Sequence, residues 1–452
     1  MTYDHTLSSS AQAQPVVAHA LRSHLIQFLR PVAQRLAAQL DIRLVQTAVD
    51  LVQVILTHRH RALGLLLTEL GGYLLSPAQA PAGAKRISNL IQAADWSADD
   101  IGAFLWQQAS ERVEVLCKAG EEALLVWDGS VWEKPESQAS ADWCVVRSAK
   151  ARRLSRRRKG MTIPHKGPPI LVPGLHWEGL LVVGRAGPPT LAHLQWWTTR
   201  GEHASTQRAV EQVLLDRSST AWGRRVRHIW DRGYAGSGWI QAALAADVRF
   251  VVRWKKGNKL LDNWGEERKA STIGRGKRSQ SYRQLRDTRT KQLIKVGVVV
   301  IPVTLVDHPQ PLWLVIARLG KGREPWYLLT ADPIHTLAEA WAIVLAYARR
   351  WQIELVWRYS KSELAMESPR VWEWDVRLKL LLLATLAYAF LLHLLDSSLA
   401  GLRAFLLRNW CHRTGKRYLE VAAPLYRLRS AISRLWQAAP PPGYHLPMLN
   451  SG

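Results

Sequence analysis

The sequence predicts a mixed α/β fold, on three observations. Compact apolar runs of strand length begin at Ala123, first in series and then alternating with helical patterns. The residues ahead of them carry helical periodicity instead. A chain of 452 residues with 48% hydrophobic content is long and apolar enough to bury sizeable cores.

Residues 16–75 read as helices with basic punctuation, including His58-Arg59-His60-Arg61. Ser76 to Ala84, rich in Ser, Pro, Ala and Gly, reads as a linker or turn. A helical pair follows, Lys85 to Ala94 and Ala98 to about Cys117, with Ser97 and Asp100 spaced as a capping box for the second. Short helices carrying Lys85 and Arg86 suit a DNA-end-binding domain, and equally a plain helical bundle.

Ala123 to Trp127 reads as a buried strand that closes on Asp128-Gly129, with the acid at its C-terminal end. Further strands are expected at Gly179 to Gly184, Leu191 to Thr198, Val226 to Trp230 and Val248 to Arg253, with helices at 203–219 and 235–246 between them. From Arg249 to Lys295 there are fifteen Lys or Arg and four Asp or Glu. Strand-like runs at Val296 to Val306, Pro311 to Arg318 and Trp326 to Thr330 follow, so this region reads as a basic, antiparallel insertion in the α/β core. Ala331 to Ser360 is one long helical pattern, closed by Pro369. Leu380 to Leu392 is the longest apolar run; it is short for a membrane span and reads as a buried helix. The tail beyond Ala438 is Pro-rich and is expected to be poorly ordered.

Charge narrows the partner. Lys and Arg number 61 against 36 Asp and Glu, a formal net charge of +25, with a pI near 10.4. Such a balance points to a polyanion, nucleic acid before anionic lipid, because the surplus is spread over several segments. Cys117, Cys144 and Cys411 lie far apart, which suggests a reducing cytoplasm and excludes a cysteine-based zinc site. Met1 to Ser10 lacks the apolar core of a signal peptide, so a cytoplasmic protein with no membrane partner is expected. No P-loop or Gly-rich dinucleotide motif is present, and His165, His176 and His193 lack metal-ligand spacing. Most of the 22 Trp are expected to pack in cores, leaving a few to stack on exposed bases.

The residues that carry chemistry form two sets. On a helix turning about 100° per residue, Tyr347, Arg350, Glu354 and Lys361 fall within a ~60° sector, with Trp351 beside them. A phenol, a guanidinium, a carboxylate and an ammonium then share one face; an i,i+4 pair on a solvated helix would use Arg350 and Glu354 alike. The second set is Asp128 and Asp231, each following an apolar run, Asp231 within Trp-Asp-Arg-Gly-Tyr. Singly, either would suit a turn or cap. Together with a helical acid they would supply hard oxygen ligands for two Mg²⁺ ions, as phosphoryl transfer requires.

The spacing Y-(2)-R-(3)-E-(6)-K, filled by Tyr347, Arg350, Glu354 and Lys361, resembles the signature of the insertion sequence four family of bacterial DDE transposases. Asp231 in D-R-G-Y is similar to that family's second aspartate motif and Asp128 to its first, at separations of 103 and 123 residues along the chain. Trp326-Tyr327-Leu328-Leu329-Thr330, 21 residues ahead of Tyr347, resembles the segment that leads into the catalytic helix. The resemblance covers about 118–365. It departs at Gly129-Ser130, where many relatives carry Thr two residues after the aspartate.

The resemblance implies an RNase H-like catalytic core interrupted by a β-rich insertion, with a helical N-terminal DNA-binding domain and a helical C-terminal region. The corresponding segments are 1–117 for end binding, 118–248 and 336–395 for the core, 249–335 for the insertion and 396–452 for the remainder. It implies that Asp128, Asp231 and Glu354 are catalytic and hold two Mg²⁺ ions, with Mn²⁺ able to substitute. Arg350 and Lys361 would grip phosphates, Tyr347 would orient the backbone, and Trp326, with Trp351 close by, would receive a flipped base. Arg156, Arg157 and Arg158 lie in Arg147 to Lys159, which has eight basic residues and no acid and suits either a solvated loop or a phosphate clamp. The implied reaction is cut-and-paste transposition through a DNA hairpin, by a homodimer bound to two transposon ends and target DNA, in the bacterial cytoplasm at the nucleoid. A domesticated, non-catalytic DNA-binding protein and an RNase H-like nuclease without strand transfer are the alternatives.

Overall fold

The structure is a computed structural model that describes residues 13–58, 63–135, 140–148, 168–286, 292–320, 322–411 and 425–441. Five helices come first: α1 (Ala13–Ala37), α2 (Ile42–Thr57), α3 (Leu67–Leu74), α4 (Ala80–Gln92) and α5 (Ala98–Lys118). Then come β1 (Ala123–Glu133), β2 (Cys144–Arg147), β3 (Leu171–Val183), β4 (Thr190–Trp197), α6 (Gln207–Trp222), β5 (Val226–Trp230), α7 (Ser237–Ala245) and β6 (Arg249–Arg253). The basic region supplies β7 (Lys259–Leu261), β8 (Glu267–Lys269), α8 (Ala270–Ile273), β9 (Ser281–Arg286), β10 (Leu293–Leu305), β11 (His308–Arg318) and β12 (Trp326–Thr330). The rest is helical: α9 (Leu337–Ala348), α10 (Trp351–Ser362), α11 (Trp374–His393), α12 (Ala400–Asn409) and α13 (Leu425–Ala438).

The strands form one mixed sheet in the order β2-β3-β1-β5-β6-β12-β11-β10-β7-β8, with β4 also on β3 and β9 also on β10. β1, β5 and β6 are parallel, while β3 and β4 fold back antiparallel. A parallel trio must be covered on both faces, and β5 is accordingly buried at every residue. The alternation of side chains splits β1 between two cores. Leu124 and Val126 face the large helical layer, whereas Leu125 and Trp127 face α6 and α7. Trp127, Trp230 and Trp239 lie within about 6 Å of one another there, so packing absorbs this part of the tryptophan surplus.

Several expectations change. β1 continues through Asp128 to Glu133, so that aspartate lies within the strand rather than at its end. The pattern from Ala331 to Ser360 is two helices, because Arg350 N bonds Tyr347 O and Gln352 N bonds Arg349 O, three-residue spacings that tighten the chain between α9 and α10. The stretch read as a turn from Ser76 to Ala84 is mostly helical: Ser76 accepts a bond from Gln79 N, and α4 starts at Ala80. The basic region is antiparallel, and its strands extend the same sheet, β12 pairing directly with β6. The Ser97–Asp100 capping box forms as expected.

Among the described residues one helix, α11, is long and apolar enough to cross a membrane, and 89% of its apolar window is buried inside the protein. It packs against α2, α4 and α5.

A buried ionic network ties the far side of the basic region to the parallel strands. Arg227 Nη2 lies 2.9 Å from both Glu122 and Asp332. Arg249 reaches the same two acids at 2.9 and 3.1 Å. Glu122 precedes β1, the arginines open β5 and β6, and Asp332 follows β12. Burial lowers the Arg227 pKa despite both acids, so each cation depends on its partners. Asp332→Ala leaves two arginines sharing Glu122 and should cost about 3 kcal/mol, read by denaturant unfolding. A loss below about 1 kcal/mol would mean that the network is solvated and weak.

Candidate active site

β1 and β5 run parallel, with Val126 opposite Ile229 as the last pair. Asp128 and Asp231 each stand two residues further on, so register alone brings them side by side. Both line a cleft of about 280 Å³ together with Ser130, Glu178, Gln207 and Tyr234. Gly233 N donates to Asp231 Oδ1 at 2.5 Å, which fixes that carboxylate at the start of a one-turn helix, Arg232–Tyr234.

The second set of residues comes in from α9 and α10. Arg350 precedes α10 and bridges two acids: its Nη1 lies 3.8 Å from Asp128 Oδ2, and its Nη2 donates to Glu354 Oε1. Lys361 Nζ donates to Ser130 Oγ at 2.8 Å and to the Val131 carbonyl, so its ammonium holds the β1 segment just past Asp128. Tyr347, on the last turn of α9, is buried and meets the Trp326 ring edge-on at 5.0 Å. Trp326 and Trp351 are both half-buried, and Trp351 opens α10. Arg156, Arg157 and Arg158 lie outside the described residues.

Two partners of Asp128 escaped the sequence reading. Trp357, one turn beyond Glu354, donates from Nε1 to Asp128 Oδ2 at 3.2 Å. Its ring reaches that far because Gly179, opposite Asp128 across the strands, has no side chain; a Cβ there would meet Trp357 Cη2 at 2.7 Å. The signal was in the sequence, since Trp357 lies three residues after Glu354 on the same helix face. The other is Glu178, buried on β3 beside Gly129, whose carboxyl accepts a 2.7 Å bond from the Tyr234 hydroxyl. No motif marked it.

Electrostatics follow from this crowding. Burial pushes the Asp128 carboxyl up to about 7; Arg350 opposes the rise, Asp231 and Glu354 add to it, and Trp357 opposes it. Burial likewise raises Glu178 well above the usual carboxylate range, against its bond from Tyr234 and with a contribution from the neighbouring Glu211. For Arg350, burial works against the charge, yet Tyr347, Asp128 and Glu354 together raise its pKa above the ordinary arginine value.

The donor set fits hard divalent cations in kind: a carboxylate on β1, a second just past the end of β5 and a third within electrostatic reach. Among the described residues no three His, Cys, Asp or Glu side chains are gathered closely enough to share one ion. The guanidinium of Arg350 instead bridges Asp128 and Glu354.

Residues 184–390 match a family model described as a transposase DDE domain. The match spans just under half of the chain; it holds Asp231, Trp326, Tyr347, Arg350, Glu354 and Lys361 and leaves Asp128 outside. Among solved structures, a piggyBac transposase in a synaptic complex with hairpin DNA is similar at 12% identity, with a TM-score of 0.41, over 94% of this chain and 87% of that one.

Two outcomes test the geometry around Asp128. Its raised carboxyl makes ionisation costly in the folded state, so its contribution to stability is full below about pH 4 and is lost as pH rises through about 7. In chelator, Asp128→Asn should therefore gain stability over the wild type between pH 5 and pH 8, up to roughly 4 kcal/mol, by urea titration. A difference independent of pH would show that the carboxyl is not displaced. Separately, Gly179→Ala should push Trp357 off Asp128 and so raise the midpoint of that pH dependence, while far-ultraviolet dichroism stays unchanged. An unmoved midpoint would make the Trp357 bond dispensable.

Proposed function

We propose that the protein is a cut-and-paste DNA transposase of the insertion sequence four type, with Asp128, Asp231 and Glu354 as its catalytic carboxylates. One observation carries the reading: within and beside a transposase DDE domain, two aspartates align on neighbouring parallel strands, and an arginine joins the first of them to a glutamate on a helix. The order β4-β3-β1-β5-β6, antiparallel then parallel, supports an RNase H-like core. On this reading 1–117 binds transposon ends, 118–248 and 336–395 form the core, 249–335 is the insertion, and 396–452 is a helical C-terminal region with a Pro-rich tail. The protein would act as a homodimer at the nucleoid in the bacterial cytoplasm.

Asp128, Asp231 and Glu354 would hold two Mg²⁺ ions. Bound there, the ions would supply Lewis-acid activation of the attacking oxygen and stabilise the leaving one. The chain's own residues do the positioning. Gly233 N fixes the Asp231 carboxylate, and Trp357 fixes that of Asp128. Lys361 braces Ser130 and Val131 behind the scissile position. Arg350, whose charge is strongly held, is the group that would meet a DNA phosphate once Glu354 turns to its ligand role. Half-buried Trp326 would offer a ring face to a base flipped out of the duplex end, relieving the backbone for a hairpin. Water attacks first to leave a 3′-OH, that hydroxyl attacks the opposite strand to close a hairpin, water reopens it, and the 3′-OH joins target DNA.

Full-length protein mixed with DNA ending in the element's inverted repeats, plus supercoiled target and Mg²⁺, should nick, form hairpins and join. Asp231→Ala should lose all three yet keep end binding. Cutting without joining would leave a nuclease, and binding without cutting in the wild type would leave a DNA-binding protein.

A further inference from the structure

One residue beyond Asp231 in the chain begins a charged cluster that the chemistry above leaves unused. Glu324 lies in the loop between β11 and β12, two residues ahead of Trp326. Its carboxylate faces three cations: Lys256 Nζ at 3.3 Å, Arg232 Nη1 at 3.5 Å and Arg253 Nη2 at 3.7 Å. These come from separate stretches, namely the turn after Asp231, the end of β6 and the loop that follows it. Convergence of two guanidinium forks and an ammonium on one exposed anion is how proteins hold a phosphate.

We propose that Glu324 is a built-in stand-in for a DNA backbone phosphate, filling the site formed by Arg232, Arg253 and Lys256 in the free protein and yielding it when DNA binds. The inference rests on the DNA-binding reading above. A phosphodiester matches a carboxylate in charge, one negative unit on two oxygens, so the same three donors serve either. The present occupant is held loosely. Its side chain is 41% exposed and the contacts are long, and exposed pairs of this kind add little stability. Bonding to Lys256 keeps the Glu324 carboxyl below its usual range, so it remains a charged competitor at any pH where DNA is bound. Gly320 and Gly322, at φ of +92° and +77°, stand within four residues of Glu324 on its N-terminal side, where other residues would be strained. Arg232 neighbours Asp231, which puts a phosphate held here next to the one being cut.

The test is binding of a short random-sequence DNA duplex to the full-length protein, by fluorescence anisotropy over a range of salt. Glu324→Gln removes the competitor and should tighten binding by about fivefold at low salt, the gain shrinking as salt screens the competition. Glu324→Ala should do the same, and adding Arg253→Gln to Glu324→Gln should abolish the gain. Unchanged or weaker binding in both Glu324 variants, with melting temperatures kept, would overturn the stand-in while leaving DNA binding intact. No binding by the wild type would overturn both this site and the proposed function.

Discussion

Asp128 on β1 and Asp231 just past the end of the neighbouring β5 line one cleft, and Glu354 adds a third negative charge within reach. Like charges so close cannot all ionise where water is scarce. The structure answers in three ways at once. Asp128 keeps a proton up to about pH 7. Trp357 donates to the same carboxylate. Arg350 reaches both Asp128 and Glu354. The acids of the cleft are thus balanced by a proton and a guanidinium.

Arg350 can act this way only because of the tightened turn between α9 and α10. In one straight helix Tyr347 and Arg350 would project in nearly the same direction. With three-residue bonds at the junction, Tyr347 goes into the core against Trp326 while Arg350 turns to the carboxylates. The phenol therefore anchors the helix pair, and burial raises its pKa despite Arg350 and Arg253 nearby. Gly179 serves the same end on the sheet side: a missing side chain opposite Asp128 admits an indole that would otherwise clash.

What the sequence made legible follows from burial. Val226–Trp230 and Trp326–Thr330 could be read to the residue, because each is a short run rich in β-branched and aromatic side chains bounded by charged residues or Pro. The far half of β1 could not, since Gly129, Ser130 and Val131 face the cleft and interrupt the apolar pattern just where the strand becomes functional. The α9–α10 junction left no trace either: Arg349 and Arg350 stay in the helical region of backbone angles, so periodicity runs on while the bonding changes. The geometry around Asp128, Arg350, Glu354 and Lys361 was foreshadowed by spacing, whereas Glu178 and Gly179 act through strand pairing, which a single sequence does not reveal. The basic region was read as antiparallel, but its continuity with the core sheet depends on β12 choosing β6 as a partner.

That pairing has a mechanical consequence. β12 is fixed on one side by β6 and at its end by Asp332, which shares Arg227 and Arg249 with Glu122 at the root of β1. The strand carrying Asp128, the strand that leads to Asp231 and the strand opening with Trp326 are thereby joined by backbone pairing and by ion pairs. On the proposed function, adaptation to DNA would come from what projects beyond the sheet: the loop bearing Glu324, entered through two left-handed glycines, and the side chain of Arg350. A site that has to hold acids against their own repulsion benefits from this division, because the scaffold that sets the carboxylate spacing is separate from the parts that exchange one anion for another.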